Sequence, residues 1–324
     1  MTPAFRVFAD GTDATAPIAD RLLELTVTDS PGMEADEVAL RIDDRGHRVA
    51  LPRRGAGLRV QLGYLETGLA DMGLYTVDEV EVEGPPWTIG VRGRSADMRE
   101  SFKEQKSRHW EETTLGDVVG RIAGEHGLAA AVDPAIADRP IPYFAQTAES
   151  DLHFVTRLAR RHGAIAKPAG GALVVTTRGS GRTGSGMAIP ALTVRPGDVT
   201  TVRATLRDRP AHRAVQADWQ DRARVSREPV IVGEGEPKMI LPHVYPDEEE
   251  ARRAADARAR ELDTAKGRLS VEMPGATSIV AERQVALAGF RDGLDGLWTV
   301  TRAEHVLDGN GYRTRFEAEA GKET

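Results

Sequence analysis

Period-two alternation runs through the first hundred residues and constrains the fold more than any other feature. Leu23, Leu25 and Val27 alternate with polar neighbours, as do Val38, Leu40 and Ile42, then Leu58, Val60, Leu62 and Tyr64. Val80 and Val82 follow, then Trp87, Ile89 and Val91. Successive side chains of a strand point to opposite faces, so this pattern predicts antiparallel strands with one side buried. Turn residues punctuate the runs: Ser30-Pro31-Gly32, Asp43-Asp44-Arg45-Gly46, Gly55-Ala56-Gly57 and Gly84-Pro85-Pro86. Strands at that spacing predict a sandwich or a small barrel.

The period changes near residue 100. Leu115, Val118, Val119 and Ile122 recur at i, i+3, i+4 and i+7, which predicts one buried helical face. Thr114 precedes them with Asp117 three residues on, a capping-box pattern with Asp in place of Glu or Gln. Gly127 after His126 supplies a stop, and Leu128 to Val132 reads as a strand. A second helix is predicted from about Ser150 to His162, with Phe154, Val155, Leu158 and Ala159 inward and Gly163 at its end. A hairpin follows, Ala164 to Lys167 and Ala172 to Thr177, turning at Gly170-Gly171.

The two helices share a pattern. Val118-Val119-x-Arg121-Ile122-Ala123-x-x-His126-Gly127 aligns with Phe154-Val155-x-Arg157-Leu158-Ala159-x-x-His162-Gly163, 36 residues later. Either one helix-to-strand unit occurs twice, or two amphipathic helices share a common pattern. His126 and His162 read as helix C-terminal residues, where a cation meets the negative end of the dipole.

Residues 179–186 read Gly-Ser-Gly-Arg-Thr-Gly-Ser-Gly, a flexible linker. Strands resume around Val202 to Leu206, Val215 to Trp219, Val225 and Val230 to Val232. A helix interrupts them at about 246–264. It opens on Pro246-Asp247-Glu248-Glu249-Glu250, where Pro fixes φ and acids favour the N-terminus. Leu269 to Met273, Val285 to Leu287, Trp298 to Val300 and Tyr312 to Phe316 then read as strands. The expected organisation is a first β domain (1–98), an α/β insert (99–178), a Gly/Ser linker (179–190) and a second β domain with one helix (191–324). The fold class is α+β, mainly β.

Composition removes several chemistries. The absence of cysteine excludes disulfides, Cys-ligated zinc, iron–sulfur clusters and thiol catalysis. With 43 Lys plus Arg against 50 Asp plus Glu, the net charge of -7 argues against specific nucleic-acid binding. Aromatics at 5% disfavour sugar platforms and base-stacking surfaces. No apolar run reaches the roughly 18–20 residues of a membrane span, and Met1 to Asp13 has no leader-like apolar core.

Motifs remove more. Gly179-x-Gly181-x-x-Gly184 spells a dinucleotide fingerprint, but no predicted helix follows to cradle a phosphate. The eight histidines show no zinc spacing. No nucleophile elbow and no phosphate loop occur. Catalytic, cofactor-binding and metal-ligating residues are therefore none, and partner interfaces stay unassigned. The basic and aromatic stretch Ser101 to Glu112 reads as either a docking segment or a solvated connector with its aromatics tucked in.

Four motifs in fixed order resemble the phage late control protein D family. They are Ser101-Phe102-Lys103-Glu104-Gln105-Lys106-Ser107 leading to Trp110-x-x-Thr113-Thr114-Leu115-Gly116, and Gln146-x-x-Glu149-Ser150-Asp151-Leu152-x-Phe154 running to His162-Gly163. Pro274-Gly275, and Ala288-Gly289-Phe290 with Gly296-x-Trp298, His305 and Gly311-Tyr312, complete the set. The resemblance runs in register from about residue 5 to 319. It implies a structural baseplate hub of a contractile tail or phage-like injection particle, similar to the N-terminal region of VgrG spike proteins. It implies two β-barrel hub domains flanking the α/β insert, and a homotrimeric ring joining the tail tube to a central spike. Implied partners are its own copies, a separate spike protein, the tube or tube-initiator protein and the tape measure protein. The place implied is the tail baseplate, after assembly in the host cytoplasm. No repetitive spike follows before Thr324, so the spike is expected to be another polypeptide. The family brings no catalytic residues and no cofactor. The competing expectation is a tail-associated cell-wall-degrading enzyme, which needs two carboxylates about 5–10 Å apart in a cleft.

Overall fold

The structure, a computed structural model, describes residues 1–30, 32, 36–95, 100–169, 171–183, 185–206, 212–221, 224–264 and 267–320. Pro31, Gly170 and Gly184, which entered the turn, hairpin and fingerprint readings, lie outside the described residues, as does the boundary read at 98/99.

The N-terminal region holds β1 (Pro3–Ala9), β2 (Thr12–Asp13), the single turn α1 (Thr15–Ile18), β3 (Leu22–Asp29), β4 (Glu37–Asp43), β5 (Gly57–Tyr64), β6 (Gly68–Glu83) and β7 (Thr88–Ser95). Alternation sets their faces: Leu25, Val27, Val38, Leu40, Ile42, Leu58, Val60, Leu62, Ile89 and Val91 are buried. Each such burial contributes about 1.5–3 kcal/mol. The pattern misleads at strand ends, where Leu23, Val82 and Trp87 are exposed. It also does not mark β1 or the first half of β6. That strand is long because it serves two partners, β5 from Gly68 to Thr76 and β7 from Tyr75 to Glu83. A bulge between Val77 and Glu79 bends it there. Gly93 makes room for the bend, since a Cβ on it would lie 3.0 Å from the Thr76 carbonyl oxygen.

The insert follows as β8 (Gln105–Thr114), α2 (Leu115–Glu125), β9 (Ala129–Val132), α3 (Pro134–Ala137), β10 (Pro140–Ser150), α4 (Asp151–Arg161), β11 (Ala164–Ala169) and β12 (Ala172–Thr177). β8 pairs antiparallel with β10, and β12 lies between antiparallel β11 and parallel β9. The repeated unit is thus strand–helix–strand, β8-α2-β9 and β10-α4-β11. Thr114 accepts a hydrogen bond from the Asp117 N–H (3.2 Å), and Ser150 accepts one from His153 (3.3 Å). Gly127 and Gly163 end the helices at φ +65° and +64°, the left-handed conformation a C-terminal stop requires. Glu112 and Ala148, again 36 residues apart, share φ near +44° and +45°. His109 pairs with Ala145, at the same offset, so a local two-fold axis passes through that pair. These matches favour a duplicated unit over a coincidence of amphipathic patterns. The aromatics of the Ser101 to Glu112 stretch are tucked in, with Phe102 and Trp110 in the insert core, but most of the stretch is the strand β8 rather than a connector.

The remaining elements are β13 (Leu192–Val194), β14 (Thr201–Leu206), β15 (Ala214–Asp221), β16 (Ser226–Gly233), β17 (Lys238–Tyr245), α5 (Glu248–Thr264), β18 (Gly267–Pro274), β19 (Gln284–Leu287), β20 (Gly296–Asp308) and β21 (Gly311–Ala320). Val225 is no strand residue; it sits exposed in a turn at φ +53°. Asp247 caps α5 by accepting the Glu250 N–H at 2.8 Å. Ala251, Ala254 and Ala255 let that helix close on the sheet β16-β15-β17, forming a core of its own. This unit is an excursion, because β14 and β18, which bracket it in sequence, pair with each other.

The two strand-rich ends of the chain share one sheet. Its order is β14-β18-β21-β20-β3-β4-β7-β6-β5-β1-β2, with β19 and then β13 attached beside β20. The seam is β20 against β3, where His305 faces Val27. The fold is therefore α+β and mainly β. Among the described residues, the strand order stays open at both ends.

Candidate functional site

The residues that carried the sequence motifs gather in two buried polar knots. The first lies inside the insert. Asp151, at the first turn of α4, is fully buried. Its carboxylate accepts from Lys106 Nζ (2.6 Å), Arg108 Nη2 (2.7 Å) and Gln146 Nε2 (2.8 Å), and lies 2.8 Å from His126 Nε2. Glu125 meets the same two cations from the end of α2, and Phe102 stacks on the His126 ring at 3.8 Å. Burial alone pushes the Asp151 carboxyl up. Hydrogen bonds from Lys106, Gln146 and His126, with the Arg108 charge, outweigh it and hold the carboxyl at about 2. A carboxylate with its lone pairs so engaged stays ionised and anchors strands; it has no proton to give a substrate.

The second knot sits at the seam. His305 of β20 is buried beside β21, with Nδ1 3.0 Å from Thr314 Oγ1 and 3.1 Å from the Tyr312 hydroxyl. Its Nε2 lies 3.0 Å from the Ile279 carbonyl. Burial pushes it below the ordinary histidine value. Gly275 explains its own motif: a Cβ there would fall 2.0 Å from the Tyr312 ring, and its N–H donates to the Tyr312 carbonyl at 2.9 Å.

A third cluster joins the insert to the sheet. Lys167 of β11 reaches Asp29 at the end of β3, Asp36 before β4 (2.9 Å) and the Ser30 carbonyl (3.0 Å). Asp29 also accepts the Ala281 N–H at 2.8 Å, so one cation ties three segments. Arg178 lies 3.6 Å from Glu319. Arg161 of α4 pairs with Glu250 of α5 and lies over the rings of Phe144 and Tyr245 at 5.0 and 5.5 Å. The segment after β12 is held as well, since Gly179 accepts from Gln284 Nε2 at 2.8 Å.

Sequence reasoning placed no site residue on Lys106, Arg108, Asp151 or Lys167, because a charged side chain without a metal or catalytic spacing reads as solvated. One signal was available: Asp151 occupies the place of Leu115 in the 36-residue repeat. The histidine reading needs correction. Both histidines do end their helices, but His162 is no cation. Burial, with Arg139, Arg253 and Arg161 near it, pushes it down to about 4.

The exposed side of the sheet forms a concavity of about 450 Å³ lined by both signs of charge. Arg92 pairs with Glu79 at 3.2 Å, and Arg94 lies 3.4 Å from Asp78 and 3.5 Å from Glu37. Such exposed pairs contribute about 0–1 kcal/mol each. Among the described residues, the carboxyls pushed upward are Asp36 and Glu282, and both lie near Lys167 rather than in that concavity. The described residues contain no group of three or more potential ligands placed to hold a metal ion. None of their helices is long and apolar enough to cross a membrane.

Comparison with known proteins adds identity to this geometry. The chain matches the phage tail baseplate hub (GPD) family over residues 49–311. A probable baseplate hub protein of Escherichia phage P2 is 32% identical, over 98% of this chain and 93% of that protein. The 43 kDa tail protein of prophage MuSo2 from Shewanella oneidensis shares the fold with a TM-score of 0.72 at 16% identity, over 98% of each chain. An Escherichia coli component of the type VI secretion system, described as similar to the T4 tail proteins gp27 and gp5, gives 0.62 at 10% identity, over 100% of this chain and 78% of that one. The chain therefore belongs to the phage tail baseplate hub family.

Proposed function

We propose that three copies of this chain form a ring joining a tail tube to a central spike, without catalysing a reaction. The near end-to-end match to the phage P2 hub relative carries this reading. In it, residues 1–98 and 191–324 act as two similar barrel-like hub domains, residues 99–178 as a lateral insert and residues 179–190 as the connection. Three chains with two such domains each present six similar units to a hexameric tube and threefold symmetry to a spike, so one chain adapts one symmetry to the other. Its neighbours are the spike, the tube or tube-initiator protein and the tape measure protein. It assembles in the host cytoplasm and ends in the tail baseplate. Saturated carboxylates such as Asp151 suit a load-carrying part, and raised carboxyls away from the open concavity do not favour the wall-degrading alternative. Electron microscopy of the purified chain with its spike tests the proposal. Threefold rings with a central opening are expected; compact particles without a ring contradict it.

A further inference from the structure

The cluster at Lys167 has an unequal charge count. One ammonium faces the carboxylates of Asp29 and Asp36, and all three groups are part-buried. The loop carrying Asp36 packs on the insert, where Gly32 lies close to Ala166 and Ile165 of β11. Other charged or titratable groups face the cluster from each neighbouring element. Glu282 precedes β19, Arg178 follows β12, Glu319 lies on β21, His305 on β20 and Tyr75 on β6. Arg178 is engaged with Glu319, and burial pushes His305 below its ordinary value. The surplus negative charge at Lys167 therefore stays uncompensated while both aspartates are ionised.

We infer that Lys167, Asp29 and Asp36 form a proton-loaded clasp, which seats the α/β insert on the sheet and tightens when it takes up one proton. Seating buries two carboxyls around one cation, and one proton on Asp36 removes the repulsion between them. Asp36 is the carrier: the bonds from Lys167 and the Ser30 N–H both fall on its Oδ1, whereas both oxygens of Asp29 are engaged, Oδ1 by Lys167 and Oδ2 by the Ala281 N–H. The sign follows from linkage. Burial pushes the Asp36 carboxyl up to about 6, against the pull of Lys167. The seated state then holds more protons than the unseated one between about pH 4 and 6, so seating weakens as pH rises through that window.

The absence of cysteine allows a clean measurement. Thr147→Cys on the insert and Thr67→Cys on the sheet, both exposed positions, carry a fluorescent donor and acceptor on the full chain. Urea titration then reads insert release as loss of energy transfer. At equal urea, the seating equilibrium is expected to be tenfold or more stronger at pH 5 than at pH 7.5. Asp36→Asn is expected to abolish that difference and to seat at least as firmly as the parent at pH 7.5. Glu282→Gln is expected to leave the difference in place, and Lys167→Met to weaken seating at both pH values. Equal or weaker seating at pH 5, a pH dependence that survives Asp36→Asn, or one that disappears in Glu282→Gln, would overturn the inference.

Discussion

The units β8-α2-β9 and β10-α4-β11 share a backbone plan and differ in charge. Each has a hydroxyl N-cap, a buried face at matching positions and a His-Gly stop. Their first helical residues differ: Leu115 in one, Asp151 in the other. Asp151 crosses to His126 at the end of the other helix and gathers Lys106 and Arg108 around it. The matching positions in the other half are Leu115 and His162, and the His162 Nδ1 has no hydrogen-bond partner. Its neighbours are Arg139, Arg253 and Arg161. The comparison separates two jobs. Local caps and apolar spacing build the same unit twice, and one residue decides which copy carries the ionic anchor.

Removing that residue has the largest expected effect. Asp151→Ala removes the buried acceptor of this knot, leaves Lys106 and Arg108 to the Glu125 carboxylate and should cost about 3 kcal/mol, read from urea unfolding. His162→Leu, its counterpart in the other half, should change stability by less than about 1 kcal/mol, because it removes a neutral ring with an unpaired nitrogen. Equal losses in the two variants would erase the distinction.

A pH series sharpens it. The His162 value lies below the ordinary 6.5, at about 4, so the unfolded chain binds the extra proton in that window. The His162 contribution to stability therefore falls as pH drops from 6.5 toward 4, by at most about 1.4 kcal/mol per unit, opposite in sign to the Asp36 contribution. His162→Gln should remove that slope. Asp151 is also depressed, from 3.8 to about 2, so its contribution is present above 3.8 and lost only on further acidification. The smallest effects are the matched ones. Thr114→Ala and Ser150→Ala should each cost about 1 kcal/mol. A large gap between them would mean that the two helices are not started in the same way.

How legible these features were follows from their range. The Thr114 cap, the helix start near Ser150 and the glycine stops at 127 and 163 are local, and they stand where the sequence places them. The seam between β3 and β20 is not local. Val27 and His305 meet across almost the whole chain, and alternation tells which face is buried but not which strand comes next. Arg108 escapes for another reason: a guanidinium aimed at a buried carboxylate looks, in one dimension, like any solvated arginine. Gly275 was visible as a motif, but only the Tyr312 ring against it shows why no side chain fits. The excursion over β15 to α5 was hidden because its bracketing strands, β14 and β18, pair only in three dimensions.

The central claim is that this chain works as a threefold hub. Light-scattering mass of the purified protein, alone and mixed with its spike partner, tests it most directly. The account predicts the mass of three chains, either alone or once the spike is present. A single chain under both conditions would contradict it.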